Sequence, residues 1–386
     1  MVLNDEQCSL RDAARRYARE RLLPGYRQRE LEGRLDRALV REMGALGLIC
    51  PDLPPELGGL GVDGVTAGLI IEELAYGDFN IGSLVVVAAL LSAIIARDAP
   101  PELARRWVPA IVRGDAIVAL AITEPHAGSD AAHLQSWARR ATDDSGDHYV
   151  LCGEKNSVTF SDTADAYLVF ARTGTPEEGA RGVTALLVPS DSPGIRATRF
   201  DDVGSVALGR GSVFFDDVRV PVAHCVGAVG KGFTQVMVGF DYSRALIALQ
   251  CLGAAQASLD EAWAYSKERE AFGRPIGQFQ GVSFPLAEGE SQVAAIRQLS
   301  YHALSLRDAG LPHTAEAAMV KWMGPKTAFD VIHQCLLTFG HYGWSKDLSH
   351  QQRLRDVMGL EIGDGMAGVM KLVIARERIG RAAVQY

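Results

Sequence analysis

Ala121-Ile122-Thr123-Glu124-Pro125-His126-Ala127-Gly128-Ser129-Asp130 marks the place where the chain changes texture. Before it, from Asp5 to about Ile117, segments such as RDAARRYARERL, ALVREMGALGL and TAGLIIEELAYG set apolar residues three and four apart, the period of a helix with one buried face. PDLPPELGGLGVDG separates two of them and, by its proline and glycine clusters, reads as loop. Around and beyond the junction, from about Ala119, the chain breaks into short β-rich runs, HYVLCGEK, AYLVFART, GVTALLVP and GSVFFDDVRVP, with TGTPEEGARG as an exposed hairpin tip. After Gly232 the helical period returns and continues almost to the end, in segments long enough to build a bundle. The order predicts an α+β fold: an N-terminal α-helical domain over residues 1–118, a middle β-barrel domain over 119–231 and a C-terminal α-helical four-helix bundle over 232–386.

With 386 residues, 48% of them hydrophobic, the chain can bury a core of two or three domains. Its net charge of −8 disfavours nucleic acid or an anionic membrane as the main partner, since both demand clustered lysine and arginine. An anionic ligand would need local arginines. The opening MVLNDEQCSLRDAARRYARERL is charged throughout and lacks the apolar core of a secretory signal, so a cytoplasmic location is expected. The longest apolar run, Ile81 to Ala96, falls short of the ~20 residues a bilayer requires. It ends at Arg97 and Asp98 and reads as a buried helix, not a membrane span. Six cysteines, at 8, 50, 152, 225, 251 and 335, form no CxxC pair, so neither a disulfide framework nor a metal site is expected. No GxGxxG follows a strand, so a nucleotide cofactor would have to be bound outside a Rossmann fold.

The junction segment resembles the TEPxAGSD signature of the acyl-CoA dehydrogenase family, and the resemblance extends over essentially the whole chain. Proline and glycine there can hold an irregular loop whose amides and small hydroxyls approach a flavin and a pyrophosphate; an ordinary Ser/Asp turn is the plainer alternative. The resemblance implies FAD as cofactor. It puts Leu120, Ile122 and Thr123 beside the isoalloxazine, and Gly128 and Ser129 at the FAD phosphates, Ser129 also meeting the pantetheine arm. Gly153-Glu154-Lys155-Asn156-Ser157-Val158-Thr159 resembles the family's GxKxWIT strand: Thr159 is retained for the flavin, while Ser157 stands where the family has an aromatic. Phe240-Asp241-Tyr242-Ser243-Arg244 is similar to the FDxxR element, which implies CoA contacts from Asp241 and Arg244. A structural salt bridge would explain the same pair. Ser243 occupies the position where a minority branch carries its catalytic glutamate, and serine cannot replace it. Arg269 to Gln280 resembles RxxFGxxIxxxQ, implying that Arg269, Phe272 and Gln280 reach FAD held mainly by a neighbouring subunit. Leu337 to Trp344 stands where the family has QxxGGxG: Gly340 remains as a cofactor contact, but Leu337 and His341 depart from the pattern.

Arg355-Asp356 resembles the family's RD motif and Lys371 to Arg376 its final RLVIAR helix. Counting forward from Asp356 and backward from Leu372 places the family's base at Asp364, with Glu361 as the nearest competitor and Gly365 as a substrate contact. A carboxylate buried against a flavin and a thioester becomes a stronger base. The reaction implied is removal of the α-proton by Asp364 and of the β-hydrogen as hydride to FAD, giving a 2-enoyl-CoA. Electrons would then pass to an electron-transfer flavoprotein, and a homotetramer is implied. The Asp364 base, GEKNSVT and TFGHYG are most similar to cyclohexanecarboxyl-CoA dehydrogenases; short or branched acyl-CoA is the alternative substrate. A flavin oxidase or monooxygenase on the same fold, and a non-catalytic CoA-binding protein, are the other classes.

Overall fold

Short polar side chains start the helices of the N-terminal region. In the computed structural model, which describes residues 2–144 and 146–380, Asn4 caps α1 (Asp5–Tyr17) by accepting from the Gln7 amide while the Gln7 side chain reaches back to the Asn4 amide. Then follow α2 (Tyr26–Glu32), α3 (Arg37–Ala45), α4 (Gly64–Gly77), α5 (Phe79–Asp98) and α6 (Pro101–Val112). Asp63 caps α4 and Asp78 caps α5 in the same manner. α5 has 20 residues and a mean hydropathy of 2.3, enough by length and composition to cross a membrane, but 78% of that stretch is buried inside the protein. It packs between α4, α6 and α7 (Gly232–Glu268), which explains an apolar surface on all sides.

The middle domain is one eight-stranded sheet. Its strands are β1 (Val118–Ala121), β2 (Trp137–Asp143), β3 (Gly146–Val158), β4 (Ala166–Arg172), β5 (Val183–Pro189), β6 (Ile195–Ala197), β7 (Gly211–Pro221) and β8 (Cys225–Val226). They run in the order β6-β7-β3-β2-β4-β5-β8, with β1 parallel to β4. Every residue of β4 is buried, so the strand reads as a continuous apolar run with no alternation. The segment TGTPEEGARG joins antiparallel β4 and β5, its tip a short 3₁₀ turn, Pro176–Gly182, capped by Thr175.

Five helices follow among the described residues: the 37-residue α7, then α8 (Gln280–Asp308), α9 (Thr314–Thr338), α10 (His350–Ile362) and α11 (Ala367–Ile379). α7 is the shared spine, packed against α8 and α9 on one side and α4 and α5 on the other. A two-stranded hairpin, Glu270–Ala271 with Arg274–Pro275, joins α7 to α8. The three regions meet at Asp356 on α10, which accepts from the Tyr26 hydroxyl at 2.5 Å, the Asn80 amide group at 3.2 Å and the Ser205 backbone N–H at 2.5 Å. The architecture is the α+β arrangement expected, helical at both ends around a central sheet domain.

Candidate active site

The loop from Ile122 to Ser136 is stitched to β3 by a buried ion pair. Lys155, fully buried, donates to the Glu124 carboxylate at 2.6 Å and to the Ile122 carbonyl at 3.1 Å. Glu124 also accepts from the backbone N–H groups of Gln135 at 2.5 Å and Ser136 at 2.9 Å, and the His126 imidazole lies 3.4 Å from it. Burial pushes the Lys155 ammonium down to about 8 against the pull of Glu124. Burial also works on the Glu124 carboxyl, but Lys155 and the two amides outweigh it and hold Glu124 below its ordinary range. The Thr123 carbonyl accepts from the Asn156 N–H at 2.8 Å, completing the seam.

This seam leaves a set of small polar groups open. A Cβ added at Gly128 would touch nothing within 4 Å, and Ser129 beside it is exposed. Leu120 at the end of β1 and Thr159 after β3 are partly exposed, and the Thr159 hydroxyl has no protein partner among the described residues. Ser157 adopts φ 59°, its hydroxyl donating to Asn156 Oδ1 at 2.9 Å and accepting from Arg210 Nη1 at 2.9 Å. Arg210 is in turn paired with Asp202 at 2.5 Å and lies 5.1 Å from the centre of the Phe200 ring. A guanidinium thus stands beside the position where the family resemblance puts an aromatic.

Asp364 sits in the turn between α10 and α11 at φ 54°, a left-handed conformation that aspartate adopts far more readily than most side chains. Gly365 follows at φ 109°, a conformation that side-chain-bearing residues rarely adopt, and a Cβ there would also push the Met370 side chain aside. Burial pushes the Asp364 carboxyl above its usual value, and the charges of Lys321 and Arg244 offset part of that rise. Lys321 on α9 donates to the carbonyls of Leu360 at 2.7 Å and Gly365 at 3.0 Å, on either side of Asp364. Arg244 Nη1 pairs with Asp241 at 2.8 Å, and the second Asp241 oxygen accepts from Thr314 at 2.6 Å. Arg244 Nε is buried with no partner among the described residues, an open donor for a bound anion or carbonyl. Ser243 is fully buried and bonds weakly to the Phe240 carbonyl at 3.4 Å, so it supplies no base.

The two groups of residues are linked. Phe160 N–H donates to the Leu208 carbonyl at 3.1 Å, and Ser205 on the same turn holds Asp356, two helical turns before Asp364. Arg269, Phe272, Gln280 and Gly340 lie elsewhere. The end of α7 at Glu268 is about 36 Å along the axis from Arg244, at ~1.5 Å per residue. The Gly340 turn shares that far end, because Phe339 stacks on Tyr265 at 4.2 Å. Phe272 is 96% exposed, and Arg269, Gln280, Gly340, Leu337 and His341 are exposed as well. The structure therefore brings Asp241, Arg244, Asp364 and Gly365 together in one chain, and gathers the Arg269 group at the opposite end of the bundle.

Three contributors escaped the reading of the sequence: the partner role of Glu124 and Lys155, the clamp by Lys321, and Arg210. Lys321 carried a faint signal, since AAMVKWMG sets it in register with the buried positions Ala317, Ala318, Gly324 and Ala328 of α9. A lone lysine on an apolar helical stripe is a buried charge in waiting.

Family models match in three parts: acyl-CoA dehydrogenase N-terminal domain over residues 4–115, middle domain over 119–218 and C-terminal domain over 230–379. The mitochondrial short-chain specific acyl-CoA dehydrogenase of Bos taurus is 34% identical over 95% of this chain and 88% of its own length. Cyclohexane-1-carbonyl-CoA dehydrogenase of Geobacter metallireducens is 31% identical over 96% of this chain and 97% of its own. Among solved structures, a chain from work on the electron transferring flavoprotein of Acidaminococcus fermentans and flavin-based electron bifurcation superposes with a TM-score of 0.94, at 32% identity over 98% of this chain and 99% of that one. A glutaryl-CoA dehydrogenase from Mycobacterium smegmatis in complex with FADH2 gives a TM-score of 0.92, at 26% identity over 99% and 97%.

Proposed function

The chain belongs to the acyl-CoA dehydrogenase family and is an FAD-dependent oxidoreductase of acyl-CoA thioesters; from that premise we propose that Asp364 is its α-proton base and cyclohexanecarboxyl-CoA its substrate. The observation that carries the base is its setting: a carboxylate made more basic by burial, held in the α10–α11 turn, with the charges of Lys321 and Arg244 offsetting part of that rise.

The residues fit the cofactor. Leu120, Ile122, Thr123, Gly128, Ser129, Ser157 and Thr159 would hold it, with open space at Gly128 and exposed or unpartnered hydroxyls at Ser129 and Thr159, and Arg269, Phe272, Gln280 and Gly340 would serve the FAD of a neighbouring copy, since their own chain holds them too far from Asp364. When bound, FAD supplies the acceptor for the β-hydrogen and its electron pair. The chain's own work is to orient and deprotonate. Ser129, Asp241, Arg244 and Gly365 hold the CoA arm and thioester, Arg244 through its unpartnered Nε. The amide of Asp364 polarises the thioester oxygen, which acidifies the α-carbon, and the Asp364 carboxylate takes the proton. The product is cyclohex-1-ene-1-carboxyl-CoA.

The substrate reading rests on the length of the base. Aspartate is one methylene shorter than glutamate, so the α-carbon must come deeper, and a ring that is broad at that carbon suits the added room. The likeness to the Geobacter metallireducens enzyme supports the same choice. The likeness to the Acidaminococcus fermentans chain supports an electron-transfer flavoprotein as acceptor. We further propose a homotetramer, working in the cytoplasm, where six free cysteines stay reduced. Ser157 and Arg210, polar where an aromatic is expected, favour an oxygen-using enzyme as the second reading.

Anaerobic flavin bleaching by a panel of thioesters tests the substrate. Cyclohexanecarboxyl-CoA should reduce the flavin faster than butyryl-CoA, isobutyryl-CoA or octanoyl-CoA. A wide win for a straight chain removes the cyclic assignment, and rapid oxygen uptake by the reduced enzyme selects the second reading.

A further inference from the structure

Lys321 is 1% exposed, and no carboxylate lies within ion-pair distance of its ammonium among the described residues. Burying an ammonium is costly unless its donors are satisfied and its charge is compensated. Its donors meet two backbone carbonyls that bracket the base: Leu360, one of the last carbonyls of α10 with no partner within the helix, and Gly365, directly after Asp364. The negative end of the α10 dipole adds to the attraction. A lysine that served only to fill space would be better replaced by methionine or leucine. Here it spans the ends of one turn.

We propose that Lys321 is a positioning residue for proton abstraction: it clamps the Leu360–Gly365 turn through both carbonyls and sets a positive charge beside the Asp364 carboxylate. The inference rests on Asp364 being the base. The groups that face Asp364 can be named from each helix packed there. Lys321 comes from α9 and Arg244 from α7. Arg244 is itself bound to Asp241 and feels Arg376 of α11. Burial lowers the Lys321 ammonium from its ordinary value, while Asp364, Cys251 of α7 and Glu361 of α10 pull the other way; burial keeps the Cys251 thiol neutral. Arg244 has its charge compensated by Asp241; Lys321 has no carboxylate of its own. Its field is therefore the one whose removal should most raise the pH at which Asp364 ionises.

The test compares the FAD-loaded native enzyme with Lys321→Met, Lys321→Gln and Lys321→Arg, following the anaerobic rate of flavin reduction from acid to alkaline pH. Lys321→Met should move the acid limb of the profile upward by about one unit and cost on the order of 10²-fold at neutral pH, partly recovered in alkali. Lys321→Arg keeps the charge and should leave the limb within ~0.3 unit of native while losing rate through an altered clamp. Affinity for 2,2-dimethylpropanoyl-CoA, which has no α-hydrogen, should stay within about threefold in each variant, separating positioning of the base from substrate binding. If Lys321→Met does not fold, Lys321→Gln, which can still donate to the carbonyls, must show the limb shift. An unmoved limb in an uncharged variant that folds overturns the proposal. Asp364→Asn, measured alongside, keeps the two claims apart: normal reduction in that variant removes the base assignment itself, whereas its inactivity with an unmoved limb at position 321 removes the role of Lys321 alone.

Discussion

At φ 54° the Asp364 backbone occupies a region that asparagine and aspartate enter several-fold more often than other side chains, so the residue type suits the turn as well as the chemistry. Lengthening the side chain separates the two. Asp364→Glu pushes the carboxylate one methylene toward the thioester, and we expect a loss of about tenfold or more on a cyclic acyl group, with a smaller loss on butyryl-CoA. Equal losses on both substrates would mean that the base length does not shape the pocket. Asp364 is proposed as the base because two motifs legible in the sequence, Arg355-Asp356 and Lys371 to Arg376, bracket it from both sides. Lys321 was not legible, since nothing in AAMVKWMG tells which carbonyls a buried ammonium will meet; that depends on how α9 packs under the α10–α11 turn.

Glu124 ties both ends of the loop from Ile122 to Ser136, to Lys155 of β3 and to the Gln135 and Ser136 amides, so the buried ion pair is central to the loop's stability. Glu124→Gln would leave a fully buried ammonium without its carboxylate, and breaking a buried pair costs about 3–5 kcal/mol. We predict a lower melting temperature and a marked loss of retained FAD on dilution, measured by calorimetry and by flavin absorbance of the protein peak. Native melting with full FAD retention would show that the loop is held by other contacts. The strands around it were readable from their apolar runs, and the β4–β5 hairpin from its proline and glycine tip. The pair was hidden because Lys155 looks like any polar residue on a half-exposed strand; only the close approach of the 122–136 loop buries it.

Asp356 joins the α2 and α5 helices, the 205–208 turn and α10, so its ionisation acts on the molecule as a whole. Burial lifts its carboxyl to about 7, with the Tyr26 hydroxyl and the Ser205 amide pulling the other way. The folded state then holds a proton that the unfolded chain, titrating near 3.9, releases at lower pH. The stability this group adds is present in full below about 4 and is lost as pH rises toward 7. The melting advantage of the native protein over Asp356→Asn should accordingly shrink between mildly acidic and neutral pH; an advantage that grows over that interval contradicts the raised value. At the same scale, Phe272 at 96% and Trp344 at 86% exposure are apolar groups left open on the far end of the bundle. They fit the tetramer we propose, and light scattering should find at least a dimer, with Phe272→Ala weakening FAD retention. A fully active monomer would contradict shared FAD sites. The α–β–α order of the chain was plain from the change in periodicity at Ala121 and Gly232, whereas the meeting of three domains at Asp356 was not, because its partners are separated by hundreds of residues.

The most direct test of the account is single-turnover flavin reduction by Asp364→Asn, loaded with FAD and mixed anaerobically with cyclohexanecarboxyl-CoA. We predict normal FAD content and normal thioester binding with flavin bleaching slowed by roughly 10²–10⁴-fold or more. Bleaching at near-native rate would contradict the account and transfer the role of base to Glu361.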